Sequence, residues 1–170
     1  MAVGSSAMCG SFKKEILAAI HRWTSASRTG SSQAHAADTF KVAMFTNSSS
    51  IDADTTGYTT SNEVSGTNYT AGGEALGSVT LSLADNSSSV PTAFLDFADT
   101  TWSSSTISSA RGALIYNSTL STAGTSQTTN HAANPSVAVI NFGGDKSSSS
   151  GDFTIQYPAN DANSAIIRIA

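Results

Sequence analysis

The segment Phe40-Lys-Val-Ala-Met-Phe-Thr46 indicates a β-strand. Its first, third and fifth residues fall on one face of an extended chain, and Ala43 and Phe45 fall on the other. Both faces are therefore apolar over much of the segment.

Six later segments repeat this two-residue period or form a short apolar run. They are residues 79–83, 94–97, 113–116, 137–142, 153–157 and 165–169. Clusters of Gly, Asn, Asp and Ser separate them, and residues 143–151 are predicted to form a hairpin tip between two of the strands. The sequence therefore predicts a mainly β fold, an antiparallel β-sandwich or jelly-roll-like domain.

The composition agrees with this fold class. Serine and threonine supply 52 of the 170 residues, and these residues favour turns and strands over helices. A net charge of only −4 argues against a disordered chain, because disorder usually accompanies few apolar residues and a high net charge.

One amphipathic helix is predicted over residues 11–23. Its apolar stripe consists of Phe12, Ile16, Leu17, Ile20 and Trp23. A helix of this length is unstable alone in water, so the stripe is expected to pack either on the chain's own β domain or on a partner. With the flexible connector predicted over residues 24–37, the chain divides into an N-terminal arm, residues 1–37, and a β domain, residues 38–170.

Arg111 and Gly112 stand directly before the apolar run of residues 113–116. We interpret Arg111 as a structural residue at the rim of a strand, with its guanidinium bound to carbonyl groups or to a carboxylate such as Asp96 or Asp99. Gly112 indicates a β-bulge or a close approach of two backbones.

Several classes of function are disfavoured. The chain lacks the basic cluster that nucleic-acid binding requires and an apolar run of the length that spans a membrane. Residues 1–10 lack the features of a signal peptide. There is no G-x-S-x-G elbow or P-loop, and one cysteine with three scattered histidines does not match a zinc site. We expect a non-enzymatic chain with no cofactor and no metal.

Six segments form a distinctive set, although none encodes chemistry. They are Ser11-Phe-Lys-Lys-Glu-Ile-Leu-Ala-Ala-Ile-His21, Asp38-Thr-Phe-Lys-Val-Ala-Met-Phe-Thr46, Asn62-Glu-Val-Ser-Gly-Thr-Asn-Tyr-Thr-Ala-Gly-Gly73, Ala110-Arg-Gly-Ala-Leu-Ile-Tyr-Asn117, Phe142-Gly-Gly-Asp-Lys146 and Ala165-Ile-Ile-Arg-Ile169. On these segments the chain resembles a family of small structural proteins of tailed-bacteriophage virions. The resemblance implies a component of the virion, and the favoured role is a capsid decoration (cement) protein.

The expected partner is the major capsid protein or another virion protein, and the expected location is the capsid surface. The chain is expected to form a homo-oligomer, with a trimer favoured, and the helix stripe is a candidate docking face. Two alternatives remain open. One is a tail or head–tail connector component, and the other is a carbohydrate-binding module with Tyr58, Tyr69 and Trp102 as exposed stacking platforms.

Overall fold

A computed structural model describes residues 2–25, 36–125 and 130–170 of the chain. It is 46% strand and 5% helix, with antiparallel sheets and one short helix. The predicted fold class is therefore confirmed, and the structure is consistent with a β-sandwich-like fold. Most of the predicted connector, residues 26–35, lies outside the described residues.

The described chain contains nine strands and one helix. In chain order they are β1 (Ala7–Met8), α1 (Gly10–Leu17), β2 (Phe40–Thr46), β3 (Gly66–Thr67), β4 (Glu74–Ala75), β5 (Thr80–Asp85), β6 (Pro91–Asp96), β7 (Thr100–Asn117), β8 (Ser136–Ile155) and β9 (Ile167–Ile169). The bounds of β2 are those that the alternation in residues 40–46 predicts.

The chain divides into two compact units. Unit 1 comprises Met1–Ala75 and Trp102–Phe153, and unit 2 comprises Leu76–Thr101 and Thr154–Ala170. This division differs from the predicted boundary at residue 37. The N-terminal residues belong to unit 1 because β1 pairs antiparallel with β8, with Ala7 opposite Val139.

Unit 1 is built on a sheet with the strand order β1-β8-β7-β2-β4, and β3 pairs with β7. In β2, the four residues from Val42 to Phe45 are all fully buried. They lie opposite the apolar part of β7, with Val42 facing Ile115 and Met44 facing Ala113. β2 therefore lies between β7 and β4, inside the sheet.

The predicted hairpin tip at residues 143–151 is wrong, because these residues lie inside β8. Gly143 and Ser150 have positive φ angles of 72° and 51°, yet the strand continues past both. The serine run is held to β7 by its hydroxyls. Ser147 Oγ accepts the backbone N–H of Ser109 at 3.0 Å, and Ser148 Oγ accepts that of Ile107 at 3.2 Å.

Unit 2 contains a three-stranded antiparallel sheet in the order β5-β6-β9. The β5–β6 pairing runs without interruption from Thr80 opposite Asp96 to Asp85 opposite Pro91. Phe94 of β6 forms a small buried cluster with Ala162 and Ala165. Burial raises the pKa of the Asp96 carboxyl, which accepts the backbone N–H of Phe97 at 2.9 Å.

Candidate functional site

The helix predicted over residues 11–23 ends at Leu17. Ala19 takes a positive φ of 51°, which turns the chain out of the helix and separates Ile20 and Trp23 from it. The helical docking stripe is therefore not formed as predicted. Leu17 is 90% exposed, whereas Ile16 and Ile20 are partly buried.

The remaining members of the stripe pack on the chain's own sheet. Phe12 is buried, and its ring lies 5.0 Å from the imidazole of His21. Trp23 stacks on Phe40 of β2 with 3.8 Å between the ring centroids and an angle of 14°. Of the two alternatives for the helix region, the structure supports packing on the chain itself.

A buried polar network joins the same region to β7. His21 Nε2 lies 2.8 Å from Glu15 Oε2, and both side chains are 1% exposed. His21 Nδ1 lies 3.1 Å from the amide nitrogen of Asn117, which also contacts Asp38 at 2.7 Å. The Asn117 Oδ1 atom accepts the backbone N–H of Thr119 at 3.0 Å.

These contacts determine the direction of each hydrogen bond. Because Asn117 donates to Asp38 through its amide nitrogen, the same nitrogen donates to His21 Nδ1. His21 therefore carries its proton on Nε2 and donates it to Glu15. The side chains of Glu15, His21 and Asn117 all have hydrogen-bond partners. The network therefore joins the N-terminal residues to the end of β7 within unit 1. The sequence alone gives no signal that Glu15 is buried.

Arg111 and Gly112 lie within β7, well after its start at Thr100. The expected partners Asp96 and Asp99 are wrong, because Arg111 Nε lies 3.0 Å from Asp145 Oδ1 on β8.

Gly112 is the site of a close backbone approach. A Cβ atom there would lie 2.4 Å from the carbonyl oxygen of Ile140 and 2.8 Å from the side chain of Val3. A β-bulge is also present, because Phe45 faces Gly112 while Thr46 faces Ala110. The intervening Arg111 has no residue opposite it on β2.

A second polar cluster surrounds Glu63. Its carboxylate accepts the hydroxyls of Tyr58 at 2.6 Å and Tyr69 at 2.7 Å, and the backbone N–H of Gly72 at 2.7 Å. Burial and this carboxylate raise the pKa values of both tyrosines. Burial, with a smaller effect of the Glu63 charge, raises the pKa of Tyr116 to about 12. The cluster anchors residues 58–72 to one another and, through Tyr69 and the backbone N–H of Met44, to β2.

The aromatic platforms of the carbohydrate-binding alternative are mostly inaccessible. Trp102 is 2% exposed and Tyr69 is 9% exposed, with its hydroxyl engaged by Glu63. Tyr58 is partly buried and stacks on Tyr116 with 4.5 Å between the ring centroids. These residues act as anchors of unit 1, so they do not form the predicted platform.

Apart from Leu17, the large apolar side chains that are exposed in the described residues lie on unit 2. Leu81 and Leu83 of β5 are 53% and 72% exposed, and Ile169 of β9 is 48% exposed. Leu83 lies opposite Ala93, which lies opposite Ile169, so these three side chains share one face of the sheet. Leu81 is on the same face, two residues along β5. We call Leu81, Leu83 and Ile169, together with the outer edge of β5, the β5 surface.

No protein-family model, curated protein or solved structure matches this chain. Within residues 2–25, 36–125 and 130–170, no group of three or more His, Cys, Asp and Glu side chains is placed to hold a metal ion. The helix of the described chain lacks the length and apolar character that a membrane crossing requires.

The β5 surface combines exposed apolar side chains with the edge of a sheet. It exposes branched apolar side chains in a chain of which only 12% is charged, and contiguous exposed apolar patches mark interaction sites. Among the described residues β5 is also a terminal strand of its sheet, and the backbone groups at such an edge can accept a further strand. The sequence shows the apolar residues at 79–83 but does not show which face of the sheet stays uncovered.

Proposed function

We propose that this chain is a structural protein of a tailed-bacteriophage virion and acts as a capsid decoration protein. The six segments quoted above support the virion assignment. The β5 surface supports an adhesive role, and it is the observation on which the proposal depends. The proposed partner is the major capsid protein or another virion protein, and the proposed location is the capsid surface.

The proposed mechanism is additive adhesion by many copies. Each copy contributes a modest contact at junctions between capsid subunits, and the summed contacts hold the shell against internal pressure. In unit 1, the residues from Val42 to Phe45 of β2 are fully buried, and the network of Glu15, His21 and Asn117 joins the N-terminal residues to β7.

Binding to particles tests the proposal. Purified chain is mixed with capsids that lack it, and the fraction that sediments with the capsids is measured. We expect saturable binding and a rise in the temperature at which the capsids release their DNA. Deletion of the N-terminal segment is not a usable variant, because Phe12 and β1 belong to the folded unit 1.

Cryo-electron microscopy of the virion locates the bound copies. Density repeated over the capsid surface supports the decoration role. A single ring near the portal would instead support the head–tail connector alternative. Failure to bind capsids, together with absence of the chain from purified virions, would overturn the proposal.

A further inference from the structure

β5 differs from the other terminal strands of the described sheets in its length. It has six residues, whereas the others have two or three: β1, β3, β4 and β9. Proteins usually protect a sheet edge by shortness, by Lys or Pro, or by a bulge. The β5 sequence Thr80-Leu-Ser-Leu-Ala-Asp85 contains neither Lys nor Pro, and its pairing with β6 shows no register shift.

We propose that β5 pairs antiparallel with β5 of a second copy of this chain, about a two-fold axis that passes beside Ser82. The two three-stranded sheets of unit 2 then form one six-stranded sheet. This inference rests on the proposed assembly function and names the occupant of the outer edge of β5, which leaves the apolar face of Leu81, Leu83 and Ile169 available to the capsid.

The register follows from which side chains share a face. With the axis at Ser82, Leu81 lies opposite Leu83 of the second copy, and Leu83 lies opposite Leu81 of the second copy. Opposed residues of an antiparallel pair point to the same side, so the four leucines form one apolar stripe. An axis at Leu83 would instead place Leu81 opposite Asp85, and an axis at Leu81 would pair fewer residues of β5.

The charge and the neighbouring side chains are compatible with this register. Thr80 lies opposite Ala84, and the charged residue of β5, Asp85, lies beyond the paired leucines opposite Val79. No like charges therefore face each other. Ile169 extends the apolar face on both sides of the axis, because it is aligned with Leu83 through Ala93.

The size of the surface sets the strength of the contact. A stable interface buries about 800 Å² on each partner, which is more than three partly exposed side chains and one strand edge provide. We therefore expect a weak dimer whose population rises with concentration. Because the contact is the same on both copies, it closes as a two-fold pair and does not by itself build the trimer favoured from the sequence.

Disulfide trapping tests the axis directly. The chain has one cysteine, Cys9, which is fully buried. In the Ser82→Cys variant, the two new thiols lie on opposed residues with Cα atoms about 4.5–5.5 Å apart, within the range of a disulfide. In the Thr80→Cys control, the same atoms are about 13 Å apart because four residues separate them along the strands. Mild oxidation should link Ser82→Cys into dimers and leave Thr80→Cys monomeric.

Sedimentation tests the apolar contact. The L81K/L83K variant places lysines opposite lysines across the axis and should raise the dimer dissociation constant at least tenfold. Both leucines are more than half exposed, so the fold of unit 2 should be retained, as far-ultraviolet circular dichroism will show. The matched control is Leu17→Lys, which changes a leucine that is 90% exposed on α1 and should leave the dissociation constant unchanged.

Three results would overturn the inference: a wild-type chain that stays monomeric up to about 1 mM, a trimer, or equal cross-linking of the two cysteine variants. These results are separate from failure of the proposed function. A monomeric chain that still binds capsids refutes only the β5 pairing. A dimer that traps at Ser82 but binds no capsid refutes only the decoration role.

Discussion

Replacement of Glu63 by alanine is predicted to destabilise unit 1 by about 4 kcal/mol. Glu63 accepts three hydrogen bonds, from the hydroxyls of Tyr58 and Tyr69 and the backbone N–H of Gly72. Tyr58 is partly exposed, so its hydroxyl is expected to bind water in the variant, whereas Tyr69 and Gly72 are buried. Two buried donors left without an acceptor cost about 1–3 kcal/mol each, which is a large share of a typical total stability of about 5–15 kcal/mol.

Glu63→Gln is the informative companion variant. Its amide oxygen can keep the hydrogen bonds from Tyr69 and Gly72, and its amide nitrogen can donate to Tyr58, whose hydroxyl rotates to accept. All three contacts survive in neutral form, so we expect a loss of about 1 kcal/mol, the difference between charged and neutral acceptors. Glu74→Gln, at an exposed position on β4, serves as a control and should change stability by less than about 0.5 kcal/mol.

The assay is urea unfolding followed by tryptophan fluorescence. Both tryptophans, Trp23 and Trp102, belong to unit 1, and the Trp102 ring lies 5.9 Å from that of Tyr69. Their emission therefore reports the unit that contains Glu63. Equal losses in the alanine and glutamine variants, or a loss below about 1 kcal/mol in the alanine variant, would refute the hydrogen-bond argument.

Three further predictions concern unit 1. The raised pKa of Tyr116, about 12 in the folded chain against about 10 when unfolded, means that the unfolded state releases this proton first. Stability should therefore fall as pH rises from about 10 to 12, and Tyr116→Phe should reduce that fall in urea midpoints measured across this range. His21→Phe leaves the buried Glu15 side chain without its hydrogen-bond donor and should cost about 1–3 kcal/mol, most of it recovered in the double variant with Glu15→Leu; a double-mutant cycle measures this. Gly73→Ala should prevent folding or lower the melting temperature steeply, because Gly73 has a φ of 67° and a Cβ atom there would lie 1.8 Å from the carbonyl oxygen of Val42 on β2. The control Gly77→Ala should leave the melting temperature nearly unchanged, because no atom lies within 4 Å of a Cβ at that position.

The alternation of apolar residues within a single segment accounts for the strands that the sequence predicted correctly. The alternation in residues 40–46 matches β2 because a strand turns successive side chains to opposite faces, and this geometry needs no information from elsewhere. The same reasoning locates β5, β6 and β9 to within a few residues.

The predictions from single segments were wrong where a contact with a distant part of the chain determines the structure. Residues 143–151 look like a turn, yet serine hydroxyls bound to the β7 backbone keep them in β8. The helix stripe predicts continuation to Trp23, yet Trp23 leaves the helix to stack on Phe40. Arg111 was paired with the wrong carboxylates because its partner, Asp145, is 34 residues away in sequence and becomes a neighbour only when β7 and β8 pair.

The sequence by itself determined that the chain is a mainly β protein with one short N-terminal helix. The spacing of the apolar residues and the excess of Ser and Thr favour a strand or a helix in each segment without any contact from the rest of the chain. The tertiary structure alone decided which strands are neighbours, which carboxylates are buried, and which apolar face stays open at β5. The physical reason is that burial and hydrogen-bond partnership are shared between distant segments. A leucine on a strand is apolar in any context, but it becomes core or contact surface only according to what the rest of the chain places against it.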